Sequence, residues 1–251
     1  MVTFNNVGRF GNFMFQCANA ISYARKHNLE LTVPVKSPYW PLYFQHLINK
    51  KYRHNLPKID VYEQGHQYQE IPFKEEWRNK NIVLNGYWQS EKYFKECRED
   101  ILKAFNIPWK LDKDFVSIHI RRGDYLHPGH LDKHPICSME YYLQSIELFA
   151  CQGYNRFVIF SDDMVWCKQH FNDKKFAYVG FYYSEGKTPL EDLSIMSSCE
   201  HNIAANSSYS WWGSWVNQNP DKITIFPKMW FGPSNQHLST ESLYPENAII
   251  L

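Results

Sequence analysis

The run "FVSIHIRRGDYL" over residues 115–126 passes from an apolar stretch straight into two adjacent arginines, Arg121 and Arg122, followed by Gly123 and Asp124. Neighbouring guanidinium groups repel unless an anion lies between or in front of them. An arginine fork grips a phosphate or carboxylate with two parallel hydrogen bonds. Two further polar clusters end apolar runs in the same half of the chain: Ser161-Asp162-Asp163 after "RFVIF", and Asn206-Ser207-Ser208 after "HNIAA" and before "YSWWGSW". Free N–H groups at the start of a helix also bind phosphate. Arg121 with Ser207 and Ser208 would therefore make an anion site that needs no metal. His119 stands two residues before Arg121, so on an extended strand it projects to the same side, where it could touch a base or sugar beside the phosphates.

Each piece has a plainer reading. Arg121 and Arg122 can form a surface ion pair with Asp124. Asp162 and Asp163 can cap the next helix, and their adjacency makes the two carboxylates diverge, which disfavours a shared metal. His127, His130 and His134 with Asp132 offer metal-ligand chemistry, but their irregular spacing fits no metal-binding signature. The tripeptide Arg122-Gly123-Asp124 matches an adhesion motif, and Asn206-Ser207-Ser208 matches a glycosylation acceptor; both short patterns recur by chance.

The elements that must position these residues alternate. The spacing predicts a short strand at Val2–Phe4, a glycine-punctuated loop "NNVGRFGN", and a helix in "FMFQCANAISYARKHN" with Phe13, Cys17, Ala20 and Ala24 on one face. "LELTV" reads as a strand ended by Pro34, and residues 35–81 read as irregular and aromatic. "NIVLNGYW" reads as a strand, and "SEKYFKECREDILKAF" as a helix capped by Ser90 with Phe94, Cys97, Ile101 and Phe105 as its stripe. After the linker "IPWKLD", strands "FVSIHI", "RFVIFS", "FAYVG", "HNIAA" and "ITIFP" interleave with helices "SMEYYLQSIELFAC" (capped by Ser138), "DDMVWCKQHF", "PLEDLSIMSSC" (Pro189 near its start) and "YSWWGSWVNQN". The last helix packs aromatic mass into a core. Alternation of this kind predicts a parallel, helix-covered sheet, with ligands beyond the carboxyl ends of the strands, where the three polar clusters would converge.

Length allows one large domain or two small ones, and 44% hydrophobic residues suffice for a packed fold. A net charge of +1 gives no global field for nucleic acid or an anionic membrane, so an anionic ligand must be met by local arginines. Nine Trp and seventeen Tyr supply core mass or stacking faces for sugars and bases. The beginning "MVTFNNVGRF" has no basic-then-apolar leader pattern, and no run of about 18 apolar residues occurs, so the chain reads as soluble and not secreted. Six scattered cysteines without a C-x-x-C pair read as reduced.

"GRFGNFMFQCANAISYA", "NGYWQSEKYF", "VSIHIRRGDYL", "FSDDMVWCKQHF" and "DLSIMSSCEHNIAANSSYSWWGSWVNQNP" resemble, in order and spacing, the successive blocks of the bacterial-type α-1,2-fucosyltransferases of glycosyltransferase family 11. The resemblance implies an α/β, GT-B-like architecture of two Rossmann-type domains with parallel sheets facing a cleft. It makes residues 1–110 the acceptor-side domain and residues 111–251 the GDP-fucose-binding domain. It implies inverting, metal-independent transfer of L-fucose from GDP-β-L-fucose, the donor substrate, to the 2-hydroxyl of a terminal galactose on an oligosaccharide or glycolipid, with no further cofactor. By the same resemblance Arg121 meets the donor β-phosphate and Arg122 supports its loop. His119 and Asp192 recognise guanine, Asn206, Ser207 and Ser208 form the phosphate-binding motif, Asp162 is a donor-side carboxylate, and Asn12 faces the cleft from the first domain. Asp124, His127 and His130 are candidates for the general base. Work in the cytoplasm, with peripheral contact at the inner membrane, is implied only by the resemblance. Position 13 departs from it, carrying Phe where the family usually has Gln. The alternatives are transfer to another position (α-1,6 or α-1,3) and a non-catalytic module that binds sugar nucleotides or glycans.

Overall fold

The computed structural model describes residues 1–34, 38–39, 52–172, 174–184, 186 and 188–251. Two compact units divide the chain: Met1–Ile107 with Leu238–Pro245, and Pro108–His237 with Glu246–Leu251. No helix among the described residues is long and apolar enough to cross a membrane. Most of the segment 35–81 that the sequence left unread is described; residues 35–37 and 40–51 of it lie outside the described residues.

The first unit is built on a three-stranded parallel sheet, in the order β1 (Val2–Phe4), β3 (Asn81–Asn85), β2 (Lys58–Tyr62). The central strand reads Ile82-Val83-Leu84 without alternation because helix and neighbours bury both its faces. Helix α1 (Phe10–Lys26) is apolar nearly all round and begins three residues before the predicted start, so Asn12 lies in its first turn rather than in a loop. Arg25 and Lys26 fall in its last turn, where the helix dipole favours cations. Phe13 is fully buried edge-on to Phe4, with ring centroids 5.6 Å apart. Gln16 ties down the preceding loop, donating to the Val7 carbonyl at 3.0 Å and accepting from its N–H at 3.3 Å.

Three sequence expectations change here. "LELTV" makes a single bridge, Leu31 to Val2, instead of a strand. The residues 58–62, "KIDVY", form a strand that the aromatic clutter around them concealed. Ser90 does cap, accepting from the Lys92 N–H at 3.3 Å, but it caps a 3-10 turn over Glu91–Tyr93. A second such turn follows at Lys95–Cys97, and the true helix α2 runs only over Arg98–Phe105. Phe94 breaks the periodicity by burying its ring against Phe15, and left-handed Asn106 ends the helix.

The second unit carries a six-stranded, wholly parallel sheet. Along the chain come β4 (Asp112–Ile120), helix α3 (Pro128–Leu131), α4 (Met139–Ala150), β5 (Arg156–Ser161), α5 (Met164–His170), β6 (Gly180–Tyr183), α6 (Pro189–Ser198), β7 (Cys199–Ile203), α7 (Ser208–Val216), β8 (Thr224–Phe226) and β9 (Ile249–Ile250). Their order across the sheet is β6-β5-β4-β7-β8-β9. Val116, Ile118 and Ile120 of β4 face a core filled by Tyr142, Ile146 and Phe149 of α4 and Cys167 of α5. The intervening Ser117 accepts from Asn202 Nδ2 at 2.7 Å, which also donates to the Met196 carbonyl of α6. Trp211 and Trp212 of α7 are fully buried, as the sequence suggested, and α7 meets α6 where a Cβ at Gly213 would strike the Met196 sulfur. The predicted strand "FAYVG" lies four residues early. Phe176 sits in a 3-10 turn, its ring 5.3 Å from Phe181 and 5.4 Å from Phe171, and the strand starts only at Gly180.

Candidate functional site

In the second unit the chain lays β4 first, then β5 and β6 on one side, then returns to place β7 on the other. The boundary between β4 and β7 is therefore a topological switch point. Loops leave its two strands in opposite directions there, and in open parallel sheets this is the place beyond the carboxyl ends where ligands bind. Ile120 of β4 pairs with Ser161 of β5, and Ile118 pairs with Ile203 of β7. The loops carrying Arg121–Asp124, Asp162–Asp163 and Asn206–Ser208 thus leave three adjacent strands at the same end, as the alternation predicts.

The two arginines are kept apart by aspartates. Arg121 donates to both Asp162 and Asp124, and its guanidinium lies 5.2 Å from the centre of the Tyr125 ring. Arg122 donates to Asp163 at 3.0 Å and stacks 3.8 Å above Trp166. Its hydrogen bond holds the Asp163 carboxyl below the usual carboxylate range against the opposing effect of burial. The capping expectation divides between the two acids. Asp163 caps α5, accepting from the Trp166 N–H at 3.1 Å. Asp162 instead accepts the backbone N–H groups of Arg122 at 2.9 Å and Gly123 at 3.1 Å, and so fixes the loop after β4 from the loop after β5. A Cβ on Gly123 would collide with the Asp162 carboxylate. Asp124 is engaged with Arg121, and His130 Nδ1 stands 4.0 Å from its other oxygen.

On the β7 side, Ser207 is the N-cap of α7, accepting from the Tyr209 N–H at 3.3 Å, and Ser208 is the first helical residue. The Tyr125 hydroxyl donates to the Asn206 carbonyl at 3.1 Å and joins this wall to the arginine loop. Asn206 itself is buried. Its amide donates to the carbonyls of Pro135 at 2.7 Å and Trp230 at 3.2 Å, and its oxygen accepts from the Cys137 thiol. Its side chain thus holds the approach to α7 in place.

His119 is buried, its ring 5.4 Å from that of Tyr209, and its Nδ1 has no hydrogen-bond partner among the described residues. The Tyr209 hydroxyl donates to the Pro189 carbonyl at 2.5 Å, so this tyrosine links His119 to the start of α6. There Asp192 accepts from the Ser184 hydroxyl at 2.5 Å; burial pushes its carboxyl up and that hydrogen bond opposes the shift. Burial, with the Arg121 charge adding to it, pulls the His119 ring from 6.5 down to about 3, so the imidazole is neutral near pH 7. In the unfolded chain the ring would take up a proton below pH 6.5 that the folded protein refuses. Stability therefore falls as pH drops from 6.5 toward 3, by up to about 1.4 kcal/mol per pH unit. His119→Gln is expected to flatten that slope in urea unfolding measured on either side of pH 6.5. An unchanged slope would assign the dependence to other groups, such as buried His201.

Among the described residues no three His, Cys, Asp or Glu side chains gather to hold a metal ion. His127 caps α3 through Nδ1, which accepts from the Gly129 N–H at 3.4 Å, and His134 stacks on Tyr125 with ring centroids 5.2 Å apart. Asn12, in the first unit, accepts from Gln89 Nε2 at 2.6 Å, and Gly8 packs so closely on its amide, at φ +80°, that no side chain fits there. The sequence reading missed Tyr125, Trp166 and Tyr209, the aromatic faces that hold Arg121, Arg122 and His119.

Residues 1–249 match the model of Glycosyl transferase family 11. An α-1,2-colitosyltransferase of Escherichia coli is 36% identical over 165 residues, covering 60% of this chain and 57% of its own length. The O-antigen biosynthesis glycosyltransferase WbnK of Escherichia coli is 41% identical over 171 residues, covering 61% and 56%. The galactoside α-(1,2)-fucosyltransferase 2 of Rattus norvegicus is 23% identical over 251 residues, covering 86% and 67%. The chain thus spans little more than half the length of the two bacterial relatives. With the family model matched from the first residue almost to the last, and its arginine loop at the switch point of a parallel sheet, the chain belongs to glycosyl transferase family 11.

Proposed function

We propose that the protein is an inverting galactoside α-1,2-fucosyltransferase that moves L-fucose from GDP-β-L-fucose to the 2-hydroxyl of a terminal galactose on a glycan, without a metal ion. The observation that carries this reading is Arg121 at the β4/β7 switch point, beside the N-terminus of α7. The names of the relatives support the sugar class and the linkage.

In this reading the bond between the fucosyl C1 and the β-phosphate oxygen breaks while the acceptor oxygen attacks C1 from the opposite face, turning the β-linked donor into an α-linked product. Negative charge grows on the departing diphosphate. Arg121 and the N–H groups at the start of α7 meet it, a task that Mg²⁺ performs elsewhere. Asp162 holds the loop that presents Arg121, Arg122 braces that loop through Asp163 and Trp166, and Ser207 and Ser208 open the helix. The unpartnered His119 nitrogen and the half-buried Asp192 face guanine. Asn12 serves the acceptor from the first unit. The acceptor proton leaves to a base among Asp124, His127 and His130; of these Asp124 is already engaged with Arg121, which favours a positioning role for it.

The colitosyltransferase relative favours a second reading of the donor. Colitose is fucose without its 3-hydroxyl, so the same chemistry serves both sugars. The test incubates pure protein with GDP-fucose or GDP-colitose and small β-galactosides in EDTA, with the product linkage mapped by NMR. An α-1,2-fucosyl product is the expected result. Preference for GDP-colitose would move the reading to the second donor. An α-1,3 or α-1,6 product would overturn the linkage, and binding without turnover of either donor would make the chain a non-catalytic module.

A further inference from the structure

The first unit contains a cavity of about 340 Å³ along β2, at the carboxyl end of its parallel sheet. That volume lies at the lower end of small-ligand clefts, ~300–1,000 Å³. Trp77, Trp88 and Tyr93 line it, with Trp88 and Tyr93 edge-on at 5.3 Å, and Tyr62 stands largely exposed among its walls. Gln64 and Gln69 add amide groups. Its two carboxylates are already neutralised: Asp60 pairs with Lys58 at 2.8 Å, and Glu70 pairs with Lys26 at 2.8 Å. Among the described residues no lysine or arginine lines it, so nothing there recommends an anion. Flat aromatic faces with amides beside them suit a ligand that is apolar on its ring faces and hydroxylated at its edge. A sugar ring has that chemistry.

We propose that this cavity is a second saccharide subsite, which holds a neutral sugar of an extended glycan other than the galactose that receives the transferred group. Its use during transfer rests on the glycan-acceptor reading above; its affinity for a neutral oligosaccharide does not. The site lies on the same strand-end side of its sheet as Gln89, the partner of Asn12, and Trp88 precedes Gln89 in the chain. Trp77 is half-buried in a 3-10 turn, so its removal disturbs the core less than removal of buried Trp88 would.

The experiment compares wild type, Trp77→Ala, Trp77→Phe and Gln69→Ala with two probes, lacto-N-tetraose and methyl β-galactoside. Binding is read by saturation-transfer NMR and tryptophan fluorescence, and transfer by KM and kcat. Trp77→Ala is expected to weaken tetrasaccharide binding about five-fold and to raise its KM in step, with kcat unchanged. Methyl β-galactoside should be unaffected, and Trp77→Phe should fall between. Gln69→Ala, at the exposed rim, should weaken the tetrasaccharide in the same direction and serves if Trp77→Ala does not fold. Equal tetrasaccharide affinity in wild type and the folded variants would overturn the proposal. So would equal weakening of both probes, which would make this the pocket of the reacting sugar. If no donor is turned over but tetrasaccharide binding still depends on Trp77, the transferase reading falls and the subsite stands. If transfer proceeds and the variants change neither probe, the subsite falls and the transferase reading stands.

Discussion

Arg121→Ala is expected to lower kcat for fucosyl transfer by about 10²–10³-fold, the cost of removing one preorganised donor from a developing oxyanion. The loss should appear in kcat more than in the KM for donor, because in the proposed reaction the diphosphate carries more charge in the transition state than in the bound donor. Arg121→Lys should restore little. The native guanidinium spans Asp162 on one side and Asp124 on the other, and a single ammonium lacks the planar fork that does this. Steady-state kinetics on the two variants, with melting curves to show that they fold, make the measurement. Turnover within about three-fold of wild type in Arg121→Ala would remove this residue from the chemistry.

Asp162 offers the second large effect, through position. One carboxylate accepts two backbone N–H groups of the neighbouring loop and the Arg121 side chain. Hydrogen bonds to a charged group contribute about 1.5–3 kcal/mol each, so its removal frees the loop that aims the arginine. Asp162→Ala should reduce kcat/KM by about ten- to one-hundred-fold. Asp162→Asn separates two contributions: its amide oxygen still accepts from the backbone, but it no longer neutralises Arg121. A small loss in Asp162→Asn beside a large one in Asp162→Ala would identify loop geometry as what matters. Equal and large losses would identify charge. Near-normal activity in both would show that the loop holds its shape without the carboxylate.

The second unit was readable in the sequence because its signals are local. Ser138 and Asp163 each cap the helix that the spacing predicts after them, and Pro189 opens another. A parallel sheet then brings successive strand ends to one edge, so three clusters far apart in sequence meet by topology alone. What stayed hidden depends on contacts between distant residues. Nothing near Asp162 announces that it captures the backbone of Arg122 and Gly123, forty residues earlier. Phe94 and Phe176 look like parts of a helix and a strand, but tertiary burial of their rings turns the local backbone into 3-10 turns. The strand at Lys58–Tyr62 carries only Ile59 and Val61 as an alternating signal, too little to stand out from its surroundings. Phe13 shows its role only in three dimensions, where the phenyl ring packs edge-on to Phe4 under β1.

The return of Leu238–Pro245 to the first unit bears on how the protein can be dissected. The Ser242 hydroxyl accepts from the Tyr68 N–H at 2.7 Å, and Gln67 donates to Glu241 at 3.3 Å, so this excursion is stitched into the lower-numbered half of the polypeptide. Neither unit is then a contiguous gene fragment. A recombinant piece cut at residue 107 would lack its own closing strap, and the complementary piece would carry that strap as an orphan, so isolating the second unit calls for excising the strap and splicing His237 to Glu246.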